Sequence, residues 1–211
     1  MKLNAHGGKR KNSGRTRLRS KGVAHRIREK VSHRTPLHIN FRYSERVRNK
    51  DSLKLLKKAI ANARRHGLCI LHFSFQSNHI HLIVEATSNE ILSRAMRSLT
   101  ITFAMGLNRG RIQVERYHLH VLKSIRETRN AIYYVLFNQQ KHEKGTSSTI
   151  DEYSSVLSVG YGMELVRLFA KRSKMTLKIG RSQWESDPPA FWLVTKVLRD
   201  DLALFGKWPK S

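Results

Sequence analysis

The sequence predicts an α+β fold, a ferredoxin-like antiparallel sheet with an added helix, a basic N-terminal arm and a helical C-terminal extension. Two observations predict it. Strand-period and helix-period segments alternate regularly from Pro36 to about Gly145, and two capping boxes open helices within that run. The 211 residues therefore read as one domain with appendages: a flexible arm over 1–33, the domain over 34–145, and an extension over 146–211 packed on the core.

Leu37 to Tyr43 alternates apolar and polar residues, as a half-buried strand does. Leu53, Leu56, Ile60 and Ala63 then recur at helical spacing up to Gly67, a residue suited to ending a helix. Leu68 to Phe75 reads as a second strand. Gln76-Ser77-Asn78 makes a tight turn, and His79 to Glu85 returns antiparallel as the third strand. Thr87-Ser88-Asn89-Glu90 is a capping box for a helix through Ile91, Leu92, Ala95, Met96, Leu99 and Phe103 to about Asn108. Tyr117 to Leu122 is the fourth strand. Ser124-Ile125-Arg126-Glu127 is the second capping box, for a helix expected to run to about Gly145. A four-stranded sheet with two helices on one face leaves its other face free for that last helix.

The third strand carries the most informative residues. In Asn78-His79-Ile80-His81-Leu82-Ile83-Val84, alternation sends Ile80 and Leu82 into the core and both histidines to the opposite face. Two imidazoles about 6 to 7 Å apart along a strand make half of a divalent-metal site. They do not name the reaction, and outward polar positions on a half-exposed strand account for such a pair equally well. His118 and His120 form a second pair, read as structural or DNA-contacting.

Charge names a partner class. Lys and Arg total 41 against 15 Asp and Glu, a formal +26 that points to a polyanion, with nucleic acid first. Lys9, Arg10, Lys11, Arg15, Arg17, Arg19 and Lys21 lie in an arm without hydrophobic period, and with Lys141 they are the expected DNA contacts. Gly14-Arg15-Thr16-Arg17 is similar to arms that enter the minor groove, although a general phosphate-binding tail explains it as well. Cys69 is the single cysteine, which rules out an intramolecular disulfide and a thiolate zinc cluster and suits a reducing compartment. No apolar run approaches a membrane span, and the N-terminus lacks a secretory signal.

On the last helix, Ala131, Ile132, Val135 and Leu136 form one apolar side at about 100° per residue. Tyr134 and Asn138, one turn apart, flank that side together, and Tyr133 falls on the other flank. Packing is the commoner fate of helical tyrosines.

The histidine pair, followed some fifty residues later by Tyr134-x-x-x-Asn138 on a helix, resembles the HUH-type single-tyrosine transposases, in particular the REP-associated tyrosine transposases of bacteria. The resemblance spans about residues 35–145 and implies an HUH endonuclease fold. It implies that His79, His81 and Asn138 hold Mg²⁺ or Mn²⁺ and that Tyr134 attacks a DNA phosphodiester, leaving a 5′-phosphotyrosyl enzyme and a free 3′-hydroxyl. The implied substrate is single-stranded DNA with hairpin ends, and the implied setting is the bacterial cytoplasm at the nucleoid. Gln139 departs from the pattern, since many relatives carry proline after the asparagine; proline would end the helix there.

Other readings fit less well. A histidine-triad nucleotide hydrolase needs a third alternating histidine, where this chain has Ile83. A transposase-derived or other basic nucleic-acid-binding protein without enzymatic activity accounts for the charge but not for a tyrosine and an amide one turn apart. Oligomeric state is not legible.

Overall fold

The structure, a computed structural model, describes residues 28–108, 112–136, 151 and 153–155. Its elements are β1 (Leu37–Arg42), α1 (Lys50–Arg64), β2 (Cys69–Phe75), β3 (His79–Glu85), α2 (Asn89–Asn108), β4 (His118–Val121) and α3 (Ile125–Leu136). The sheet runs β2-β3-β1-β4, and each of its pairings is antiparallel. This is the split arrangement that the element order predicts.

Local chemistry sets the boundaries. Asn49 caps α1, its side chain accepting the Ser52 N–H at 2.9 Å. Past the end of that helix, Gly67 takes φ +83°, a left-handed conformation that glycine adopts without steric penalty. At α2 the cap is Ser88 rather than Thr87: its hydroxyl accepts the Ile91 N–H at 3.3 Å, and its carbonyl takes the first helical bond from Leu92. Of the two hydroxyls, the one adjoining the first helical turn reaches the orphan N–H groups. β4 is shorter than the stretch from Tyr117 to Leu122, and β2 carries a register shift between Ile70 and His72.

Two apolar clusters sit on opposite sides of the sheet. The larger joins Leu37, Ile39, Phe41, Phe73, Phe75, Ile80 and Leu82 to Leu56 and Ile60 of α1 and Leu99 and Phe103 of α2. The smaller joins Leu71, Ile83 and Leu122 to Ala131, Ile132, Val135 and Leu136, so α3 lies on the opposite face over β2 and β3. Each fully buried aliphatic side chain contributes roughly 1.5–3 kcal/mol of transfer free energy.

Two further segments dock on this frame. Val31 is buried, and its N–H donates to Asn89 Oδ1 at 2.7 Å. The Arg28 guanidinium lies 3.5 Å from the centre of the Tyr117 ring, and Lys123 pairs with Glu29 at 2.5 Å. The packed chain therefore begins by Arg28, ahead of the expected boundary at 33. Asp151 and residues 153–155 run beside β2: Ser154 bridges Ser74, and the Phe75 N–H donates to the Tyr153 carbonyl at 2.9 Å. The Arg48 guanidinium fixes this segment through an ion pair with Asp151. Residues 1–27, most of the 146–211 extension and the expected continuation of α3 toward Gly145 lie outside the described residues. No helix among the described residues is long and apolar enough to cross a membrane.

Candidate active site

The strand register gathers polar side chains on the face where α3 packs. On β1, Leu37, Ile39 and Phe41 are buried in the larger cluster, which turns His38, Asn40 and Arg42 the other way. Asn40 pairs with His81 on one side and His118 on the other, while His38 pairs with Ile83 and His120. β1 thus stands between the two histidine pairs. His118 and His120 lie two strand spacings from β3, about 10 Å. His120 is tied instead to Glu127.

His79 and His81 have ring centroids 4.9 Å apart at 89°. His79 Nδ1 lies 2.9 Å from Asn78 Oδ1, and His81 Nδ1 lies 3.1 Å from His38 Nε2. His81 is buried, its Nε2 included, while His79 is half-buried. His38 stacks on His81 at 5.2 Å and 28°. Desolvation, and after it the nearness of His120, pushes the His38 imidazole down to about 4, so it is neutral at neutral pH.

The tyrosine arrives by way of α3. Ser124 caps this helix, accepting the Glu127 N–H at 3.2 Å, and its carbonyl takes the first helical bond from Thr128. Glu127 reaches back to the Lys123 N–H at 2.7 Å and to His120 Nε2 at 2.5 Å. The hydrogen bond from the Lys123 N–H above all, opposed by burial and aided by His120, holds the Glu127 carboxyl below the usual carboxylate range. The buried stripe Ala131, Ile132, Val135 and Leu136 fixes the rotation of the helix. Tyr134, at the border of that stripe, meets the histidines: its ring centroid is 5.1 Å from His81 at 87° and 6.0 Å from His38 at 67°. Tyr133 is half-buried against the smaller cluster.

Of the residues singled out from sequence, the structure brings His79, His81 and Tyr134 together. Asn138, Lys141 and Lys9, Arg10, Lys11, Arg15, Arg17, Arg19 and Lys21 of the arm lie outside the described residues. Among the described residues, no group of three or more His, Cys, Asp or Glu is arranged to hold a metal ion. The pair His79 and His81 suits the nitrogen half of a first-row divalent site such as Mn²⁺; Mg²⁺, the harder ion, favours oxygen. A recess of about 710 Å³ between α2 and residues 112–117 touches none of these histidines.

His38 is the site residue that sequence reasoning passed over. The one signal for it was the alternation of its own strand, which sets His38 on the face of His79 and His81 once the two strands are known to be neighbours. That neighbourhood is a long-range pairing.

Residues 31–124 match a family model described as transposase IS200 like. The match ends just before α3, so it covers both histidines of the third strand and not Tyr134. No curated protein matches the chain. Among solved structures, a REP-associated tyrosine transposase bound to a REP hairpin is similar at 17% identity and a TM-score of 0.52, over 81% of this chain and 96% of that one. A bacterial tRNA(His) guanylyltransferase-like protein in complex with ATP shares 9% identity at a TM-score of 0.40, over 70% of this chain and 74% of that one. The first likeness is of fold; the second is too slight to carry an argument. The matched strands set His79 and His81 side by side on one face, and over residues 31–124 the chain is similar to the IS200-like transposases.

Proposed function

We propose that this chain cleaves and rejoins single-stranded DNA through a tyrosine-linked intermediate, with Tyr134 as nucleophile and a divalent ion, Mg²⁺ or Mn²⁺, held by His79, His81 and Asn138. The carrying observation is the Tyr134 ring lying 5.1 Å from His81, on a helix whose rotation is fixed by a buried stripe. A phenol in that position has the reach to attack a phosphate lodged against the histidines.

When bound, the ion supplies Lewis-acid polarisation of the scissile phosphate. The protein's own groups do the remainder. The Tyr134 oxygen forms a bond to phosphorus as the bond to the 3′-oxygen breaks. The phenolic proton ends in solvent or on the departing oxygen, which becomes a free 3′-hydroxyl, and the 5′-phosphate stays on the tyrosine. The phosphotyrosyl bond conserves the energy of the broken diester, so a 3′-hydroxyl can reverse the step without ATP. The sheet face beyond α3, with Asn40, Arg42 and His118, gives the strand a polar surface next to the nucleophile. A hairpin beside the cleavage point is the proposed recognition feature, and a solved fold relative is bound to a REP hairpin.

The test is incubation of the full chain with labelled single-stranded hairpin DNA and Mn²⁺, followed by denaturing electrophoresis. Wild type and Tyr133→Phe should form a covalent adduct, and Tyr134→Phe should form none. An adduct that persists in Tyr134→Phe overturns the assignment of the nucleophile. Unchanged cleavage in His81→Ala removes the metal from this histidine pair.

A further inference from the structure

We infer that His38 and Asn78 are positioning residues that lock His81 and His79 in the tautomer carrying its proton on Nδ1, leaving both Nε2 lone pairs for the metal. The inference rests on the metal reading proposed above and assigns roles to two residues outside the ligand set.

An imidazole binds a cation through an unprotonated nitrogen, and in the neutral ring only one of its two nitrogens is unprotonated. In water free histidine favours the opposite tautomer, with the proton on Nε2. A ligand that must bind through Nε2 therefore needs an acceptor held against Nδ1. Both histidines have a candidate. Asn78 Oδ1 is an amide oxygen, an acceptor, 2.9 Å from His79 Nδ1. His38 Nε2 lies 3.1 Å from His81 Nδ1 and accepts from it when the His38 proton sits on its own Nδ1.

Both acceptors are themselves held. Asn78 sits at the turn, its carbonyl receiving the Tyr43 N–H at 3.1 Å. His38 is on a central strand, stacked on His81 and in edge contact with Tyr134. A neighbour that orients a ligand histidine and fixes its tautomer typically changes metal affinity about 10- to 100-fold when removed. The ring of His38 also touches that of Tyr134, so one side chain positions both a ligand and the nucleophile.

The test is long-range ¹H–¹⁵N correlation of the imidazole nitrogens in the full-length, metal-free protein at neutral pH, paired with Mn²⁺ titration read by electron paramagnetic resonance. Wild type should show His79 and His81 protonated at Nδ1. His38→Leu should shift His81 toward the Nε2–H form and weaken Mn²⁺ binding about 10- to 100-fold. His38→Gln, whose amide oxygen can accept, should restore the Nδ1–H form and most of the affinity. Asn78→Ala tests the other acceptor independently and should shift His79 while leaving His81 as it is.

An Nε2–H tautomer on His81 in the wild type overturns the inference, as does His38→Leu with unchanged tautomer and affinity. The spectra need neither metal nor DNA, so the two readings can fail separately. Nδ1–H tautomers in a protein that binds no Mn²⁺ would refute the metal reading and uphold the lock.

Discussion

His38, His72, His79, His81, His118 and His120 rise from one face of the sheet, yet their surroundings differ sharply. His72 is the extreme case. It is buried on β2 beside Ser155, its Nδ1 is 3.3 Å from Ser155 Oγ, and burial pushes its imidazole down to about 4. The unfolded chain takes up this proton near 6.5 and the folded one only near 4. The unfolded state thus binds more protons between those values. Stability is fully present above pH 6.5, falls as the pH drops toward 4 and levels off below it, a loss on the order of 3 kcal/mol from this residue. Denaturation midpoints across about pH 4–7 should show that decline, and His72→Gln should make it shallower; an equally steep decline in the variant would assign the effect to other groups. Strand alternation gave the face of His79 and His81; for His72 it would have given the wrong one, since the bulge after Ile70 turns that side chain over. What covers each one is decided by residues far away in sequence, such as Ser155, and was not legible.

Among the elements, β3 was readable to the residue because apolar and polar positions alternate between a turn and a capping sequence. The covering helix was legible too: its apolar stripe was named from spacing alone, and all four of those residues are buried, with Thr128 beside them. The bulge at Ile70–His72 was not legible, since it shows only in the partner's register. Because α3 binds the sheet through its own small apolar cluster, its attachment is separable from the main core. Ile132→Ala removes the centre of that cluster and should cost about 2–4 kcal/mol. Amide exchange should accelerate in α3 well before β1 or β3 loses protection. A uniform loss of protection over the whole domain would show that the two clusters unfold as one unit.

Across the whole molecule, the charge of +26 foretold a polyanionic partner without saying where it binds. The docking of Arg28 and Val31 changes the dissection that measures the arm. Removing residues 1–27 takes away Lys9, Arg10, Lys11, Arg15, Arg17, Arg19 and Lys21 and keeps Val31 in the core. That truncation should retain the wild-type denaturation midpoint while flattening the plot of log DNA affinity against log salt, by about one unit for every phosphate the arm had neutralised. Removing 1–33 should also lower the midpoint, because Val31 and its bond to Asn89 go with it. An unaltered salt slope in the shorter truncation would place the phosphate-binding side chains in the body of the domain.

The strip Asp151 to Ser155 has a consequence beyond holding Arg48. An open sheet ordered β2-β3-β1-β4 ends in two strands with unpaired backbone groups, ready templates for strand addition by another chain. The strip occupies β2 along Ser74 and Phe75, and β4, at four residues, is too short to make a strong template. Growth of the sheet from molecule to molecule is blunted at both margins, so copies of the chain can crowd together at high concentration without their sheets fusing.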